Sequence, residues 1–314
     1  MDNDGSPELP DKTIISLDTE NSNIETSSQD KLDVNSVVGS YRILHPLSEG
    51  GMGQIFLCHP LDDFSARMVL KVLKSSEKEK SKARFHREYR MLAQLSHENI
   101  VQTYDAWADD EREYFVMEYV SGMNLAQMVK AGCVFTVEYS IYMMDVISRA
   151  LCYAWDMIGL VHRDIKPSNI MIDADNIIKI LDLGIAKSLL HPGTVLTLDG
   201  TSLGSPGFMS PEQIVSPRTV DCKSDIFSLG ATAYFCLSGG KLPFKGKNVT
   251  EIAWAMRHNK PVPLRKLNPE VPEFLDELIM ATLDADPAKR PDSWRKLLVC
   301  IDRVRNGRRM IRQV

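Results

Sequence analysis

The stretch Val161-His162-Arg163-Asp164-Ile165-Lys166-Pro167-Ser168-Asn169-Ile170-Met171 decides the reading of this chain. An apolar residue leads into His-Arg-Asp, a lysine follows the aspartate by two positions, and an asparagine follows it by five. Two apolar residues then leave. The pattern predicts a tight loop between two short strands, with a carboxylate, an ammonium and an amide directed into one cleft. A lone aspartate in such a place is usually a turn-former. Set beside a cation and a metal-ligating amide, it suits transfer of a highly charged group.

Ile180-Leu181-Asp182-Leu183-Gly184 then places a second acid at a strand end. The two stretches match the signature H-R-D-L-x-x-x-N followed by D-F-G, with Leu183 in place of Phe. The chain therefore resembles the protein kinase superfamily, and within it the bacterial eukaryotic-like (Hanks-type) Ser/Thr protein kinases. The resemblance implies an α+β, bilobal protein-kinase-like fold, with a small β-rich N-lobe carrying one main helix and a larger helical C-lobe. It predicts a kinase domain over 39–304, divided into N-lobe 39–117, hinge 118–122 and C-lobe 123–304.

Composition agrees with a globular enzyme and narrows its class. The chain has 314 residues, 44% of them apolar, which is ample for a core. The net charge of −5 is uneven: residues 1–38 hold nine acids against two bases (−7), and the rest 33 against 35 (+2). A nearly neutral remainder excludes wholesale nucleic-acid binding. Residues 1–38 lack aromatics and are rich in Asp, Glu, Ser, Thr and Asn, so a disordered acidic tail is expected. Residues 305–314 are expected to form a basic tail, solvated or docking to an acidic partner or membrane surface. The six cysteines (Cys58, Cys133, Cys152, Cys222, Cys236 and Cys300) form no C-x-x-C pair, and reduced, mostly buried thiols are expected. Cys222, just after the activation segment, is the candidate redox sensor among them. The N-terminus has neither a basic nor an apolar leader region. The most apolar stretch, Val137 to Met157, is broken by Asp145 and Arg149, so a buried helix is expected and no membrane span. A cytoplasmic protein is the expectation.

Upstream, Ser48-Glu49-Gly50-Gly51-Met52-Gly53 reads as a tight turn between strands Tyr41 to Leu47 and Gln54 to Cys58. It resembles the kinase loop G-x-G-x-x-G-x-V, with Ser48 for the first glycine and Ile55 for the valine. Glycines allow backbone N–H groups to approach phosphate. Met68 to Leu73 reads as a buried strand holding one lysine, Lys71, which is costly unless paired. The family's partner for it is a glutamate on the next helix, read over Lys78 to Leu95, and Glu88 fits that place. Tyr114 to Val120 reads as a strand running into the hinge. By resemblance, ATP is bound by Leu47, Gly50, Gly51, Gly53, Ile55, Val69, Lys71, Met117, Glu118, Val120 and Met171, with Met117 gating the back pocket.

The same resemblance assigns the chemistry. Lys71, oriented by Glu88, grips the α- and β-phosphates; Asp182 and Asn169 hold Mg²⁺, with Mn²⁺ as the alternative ion; Asp164 takes the proton of the acceptor hydroxyl; Lys166 neutralises the γ-phosphate. Arg163 is the regulatory cation, expected to meet a phosphorylated residue among Thr194, Thr197, Thr201 and Ser202. Gly204-Ser205-Pro206-Gly207-Phe208-Met209-Ser210-Pro211-Glu212 resembles G-T-P-x-Y-M-A-P-E. Glu212 is expected to pair with Arg290, and Asp225 to brace the catalytic loop, as structural residues. Three helices are expected to finish the domain: Val249 to Asn259, Val271 to Leu283 and Pro291 to Val304.

The implied activity is a Ser/Thr protein kinase that passes the γ-phosphate of ATP to protein substrates and autophosphorylates its activation loop, through a homodimer. Lys166, and Ser205 before Pro206, favour Ser/Thr acceptors. The rival reading is a pseudokinase scaffold that binds nucleotide without catalysis. A small-molecule kinase would lack the Glu212–Arg290 pair. A P-loop enzyme is excluded, since Gly239-Gly240-Lys241-Leu242 has the wrong spacing and no Ser or Thr. Asp173-Ala174-Asp175-Asn176 reads as a hairpin turn and not a calcium loop, because Ile178 stands where that loop requires glycine.

Overall fold

The computed structural model describes residues 32–50, 53–74, 89–109, 111–183, 206–216 and 220–307. Residues Val34–Val314 form one compact unit. A six-stranded antiparallel sheet opens it, in the order β1-β2-β3-β4-β6-β5. The strands are β1 Val37–Val38, β2 Tyr41–Gly50, β3 Gly53–Pro60, β4 Met68–Lys74, β5 Thr103–Ala108 and β6 Arg112–Glu118. β1 pairs with β2 through Val37 and Arg42, so pairing starts ahead of the expected boundary at residue 39. The strands run through the turn that was expected to separate them: Gly50 pairs with Gly53, and Ser48 with Ile55.

Sequence patterning accounts for the helical half. Helix α1 is Leu125–Lys130, capped by a reciprocal pair of bonds between Asn124 and Gln127. Helix α2, Val137–Ile158, begins where the Thr136 side chain accepts the Tyr139 N–H, and ends at Gly159 in the left-handed conformation (φ 64°). Ile141, Met144, Ile147, Leu151 and Ala154 give it one buried stripe. Helix α4, Cys222–Leu237, follows the short α3, Pro211–Val215, and is buried on nearly every side. Its Ser228 and Thr232 hydroxyls donate to carbonyls one turn back, which satisfies them inside the core. Helices α5 Val249–His258, α6 Glu273–Thr282 and α7 Trp294–Arg305 complete the described residues. No helix among the described residues is long and apolar enough to cross a membrane.

Two boundaries differ from expectation for local reasons. α7 starts at Trp294, because the Ser293 side chain caps it by accepting the Lys296 N–H. Its last residue, Arg305, was expected in the solvated tail; instead its guanidinium lies 3.1 Å from Asp145 on α2. Asp145 also accepts from Arg149 at 3.0 Å. The helix expected over Lys78 to Leu95 is described only from Tyr89, and it is helical through Leu92 before turning at Ala93 and Gln94.

A second sheet lies at the centre, in the order β7-β8-β9: Gly122–Asn124, Ile170–Asp173 and Ile178–Ile180. Asp173 to Ile177 closes the β8–β9 hairpin, with Asn176 at φ 61° and its N–H on the Asp173 carbonyl at 3.1 Å. β8 and β9 are antiparallel, with Ile170 paired to Ile180, so the catalytic-loop stretch enters this sheet at the same end at which the chain leaves it towards Asp182.

Candidate active site

Asp164, Lys166 and Asn169 converge. The Lys166 ammonium lies 2.9 Å from Asp164 Oδ2. Asn169 Nδ2 donates to that same Oδ2 and to the Asp164 carbonyl, each at 2.9 Å. Pro167–Asn169 forms a 3-10 turn after Lys166, which brings residues 164 and 169 onto one side of the loop. With both amide hydrogens committed to Asp164, Asn169 Oδ1 is the oxygen left to meet a cation.

Asp182 follows β9 by two residues. The Leu181 N–H donates to the Asn169 carbonyl at 2.9 Å, so the strand before Asp182 is tied to the catalytic loop. Lys71 reaches across from β4: its ammonium lies 2.5 Å from Asp182 Oδ1, and the lysine is 8% exposed. A lysine buried in a strand is tolerated when a carboxylate meets it. Glu88, Gly51, Thr194, Thr197, Thr201 and Ser202 lie outside the described residues.

The loop backbone is held in an unusual conformation. Arg163 has φ 63° and Asp182 has φ 51°, a region costing roughly 1–3 kcal/mol for a side-chain-bearing residue. The fully buried Asp225 accepts the His162 N–H at 2.6 Å and the Arg163 N–H at 2.8 Å. Burial pushes the Asp225 carboxyl up, against the opposing pull of His162, Arg163 and their N–H bonds. Gln213 Nε2 donates to the Arg163 carbonyl, and the His162 ring bonds the Leu181 carbonyl at 2.9 Å. Each peptide flanking Arg163 therefore has a side chain on it. Sequence reading named Asp225; it missed Gln213, which only its place directly after Glu212 could have flagged.

Arg290 is almost wholly buried (1% exposed). It meets Glu212 through two bonds of 2.6 and 2.9 Å, and donates to the Asp284, Lys223 and Ala285 carbonyls. Ser224 adds a hydroxyl to Glu212 at 2.6 Å. The guanidinium lies 4.9 Å from the Phe227 ring centre. Burial raises the Glu212 carboxyl, but Arg290 and Ser224 outweigh it and hold the group below its ordinary value.

An apolar cluster joins residues of β4, β6 and β8. Val101, Met117 and Val120 form a buried cluster with Val69, Met171 and Leu181 packed on it. Val101 and Leu181 were not among the residues expected here. Leu47, expected here, is 42% exposed, at the register shift between Pro46 and Ser48. Ile55 on β3 is half-buried and outside this cluster. Gly53 has φ 149°, and a Cβ there would stand 2.0 Å from the Val72 carbonyl oxygen, so close approach of β4 itself requires glycine.

The protein kinase domain family matches residues 41–299. The chain belongs to the protein kinase family. Among curated kinases, it is 34% identical over 256 residues to the serine/threonine-protein kinase PrkC of Bacillus subtilis, covering 81% of this chain and 39% of that one. It is 30% identical over 273 residues to the serine/threonine-protein kinase PknB of Mycobacterium tuberculosis, covering 85% of this chain and 43% of that one. The chain thus spans about two fifths of the length of these relatives. The likeness to Hanks-type bacterial kinases is borne out. A solved structure of Rad53 in complex with AMP-PNP superposes with a TM-score of 0.67 at 24% identity, over 82% of this chain and 64% of that one. It shows the bilobal α+β kinase fold.

In this kinase domain four of the cysteines are buried, Cys152 is half-buried and Cys133 is exposed. All six are free thiols. Cys222 is buried, and burial pushes its thiol up to about 11. Burial counts against the redox-sensing reading, since reactive cysteines are accessible thiolates.

Proposed function

We propose that this chain is a Ser/Thr protein kinase that transfers the γ-phosphoryl group of ATP to protein hydroxyls. The observation that carries the reading is the cluster of Asp164, Lys166 and Asn169 together with the Lys71–Asp182 contact. Phosphoryl transfer asks for positioning and charge neutralisation more than covalent chemistry. Asp164 accepts the proton of the acceptor hydroxyl, and the ammonium of Lys166 neutralises charge on the transferred group. Lys71, oriented by Glu88, holds the remaining phosphates. The apolar cluster around Met117 takes the adenine, with Glu118 and Val120 offering backbone bonds. Leu47 and Ile55 close over the nucleotide from β2 and β3, and Gly50, Gly51 and Gly53 line the phosphates.

Asp182 and the Asn169 amide oxygen are hard oxygen donors, a set that fits Mg²⁺ better than a soft metal. When bound, that ion neutralises phosphate charge. Mn²⁺ would accept the same donors.

Regulation follows from Arg163, expected to order the activation segment when Thr201 or Ser202 is phosphorylated, with Thr194 and Thr197 secondary. The transfer is then between two copies of the chain. We assign the domain to 39–304, with an acidic tail before it, and place the protein in the cytoplasm, which the six free thiols support.

The test is phosphate transfer from labelled ATP with Mg²⁺, to the protein itself and to a basic acceptor protein. Asp164→Asn and Lys71→Met should each abolish it. Mapped phosphates on Ser or Thr support the reading. ATP binding without transfer would favour the scaffold reading, and phosphate on tyrosine alone would overturn the acceptor class.

A further inference from the structure

The carboxylate of Glu118 is held on two sides. Its Oε2 accepts the Gln102 N–H at 3.2 Å, and its Oε1 lies 2.5 Å from the Lys179 ammonium. The side chains are 24% and 13% exposed, so water and salt screen the pair weakly. The Glu118 N–H donates in turn to the Gln102 carbonyl at 2.9 Å.

Lys179 is the middle residue of β9. Its partner across the ladder is Met171, which packs on the apolar cluster of Val101, Met117 and Val120. Leu181, which packs on the same cluster, and Asp182 follow within three residues. The other edge of β9 is bonded to the segment before Gln102: the Ile180 N–H donates to the Asn99 carbonyl at 2.9 Å, and the Val101 N–H to the Ile180 carbonyl at 3.0 Å. The contacts close a ring. It runs from Glu118 to Gln102, back along the chain to Asn99, across to β9, and through the Lys179 ammonium to Glu118 again.

We propose that Lys179 is a positioning residue for the nucleotide, fixing the strand that ends at Glu118 against Met171 and Leu181. The proposal rests on the reading that residues 118–120 receive the adenine. Removing Lys179 opens the ring at its ion pair. It also leaves the Glu118 carboxylate without its counter-charge beside a site built for a polyanion. Both effects fall on nucleotide binding. Neither reaches the contacts among Asp164, Lys166 and Asn169, so KM and kcat separate.

The experiment is steady-state phosphate transfer at varied ATP, with melting temperatures recorded beside it. Lys179→Met should raise the KM for ATP about ten-fold, the scale of one charge-assisted hydrogen bond, with kcat held within about two-fold. Lys179→Arg should stay near wild type. In a Glu118→Gln background, Lys179→Met should add little, because the charge it balanced is gone. An unchanged KM in Lys179→Met overturns the proposal, whether or not the melting temperature falls. A fall in kcat at constant KM overturns it too. If Lys179→Met does not fold, Glu118→Gln alone decides: it should raise KM, and normal kinetics there reject the role. A wild type that neither binds nor uses ATP overturns the nucleotide reading and this role together, whereas normal wild-type kinetics with normal variants reject the role of Lys179 alone.

Discussion

Glu212→Ala breaks an ion pair whose arginine is fully buried. The Arg290 side chain is 0% exposed and that of Glu212 is 20% exposed. Without Glu212 the guanidinium keeps three backbone carbonyls and the Phe227 face but has no counter-charge. Removing one partner of a buried pair costs about 3–5 kcal/mol. A domain has roughly 5–15 kcal/mol in total, so this is a large share of its stability. Burial, not bond length, sets that size. The Arg295–Asp156 pair has a similar length of 2.8 Å but side chains 76% and 44% exposed, and Asp156→Asn should change nothing measurable. The assay is urea unfolding followed by tryptophan fluorescence, for Glu212→Ala, Arg290→Met and the double variant. The double should lose less than the sum of the singles by about 1–3 kcal/mol. A Glu212→Ala loss below about 1 kcal/mol, as at exposed pairs, or strict additivity, would refute the reasoning.

The same pair has a pH signature. The Glu212 carboxyl is held below its ordinary 4.5, so its contribution is complete above that pH and is lost as pH falls through the lower folded value. Glu212→Gln should remove that part of the acid-induced loss. Asp225 has the opposite sign. Its folded value is raised above 3.8 by burial, so its contribution is complete below 3.8 and fades as pH rises through the folded value.

Asp225→Asn keeps the shape but offers one acceptor oxygen to two N–H donors; kcat should fall about 100-fold, the scale of a displaced catalytic group, with the KM for ATP near wild type, and unaltered turnover would reject the bracing role. Gly230→Ala should cost about 1–3 kcal/mol by overpacking, read as a lowered melting temperature, because a Cβ there would stand 1.9 Å from Thr282 Oγ1 on α6. Combining it with Thr282→Ala should recover only part, since the Thr282 Cβ is itself 2.8 Å away. Native alkylation with iodoacetamide, followed by mass spectrometry, should label the exposed Cys133 first and Cys58 and Cys236 last, both buried and both pushed up to about 12; uniform labelling would contradict the burial.

Much of the candidate site could be read from local spacing. Asp164, Lys166 and Asn169 lie within six residues, and a loop that short brings them together whatever surrounds it. The buried helix expected up to Met157 was equally legible, because an apolar run is local; the structure carries α2 to Ile158 and ends it at Gly159. Leu47 was harder to place. Strand pairing sets its side-chain direction, and the register shift after Pro46 leaves it exposed.

The sequence by itself determined the family resemblance, which implied the bilobal fold, and the identity of the charged residues, since the motifs that carry them are of short range. Only the tertiary structure decided how distant groups are matched. Lys71 meets Asp182 across 111 residues, Gln213 bonds the carbonyl of Arg163, Lys179 meets Glu118, and Arg305 leaves the expected tail to reach Asp145. A buried charge requires some partner, and the sequence states that need. Which partner answers it depends on where the chain returns in space, and no local period encodes that.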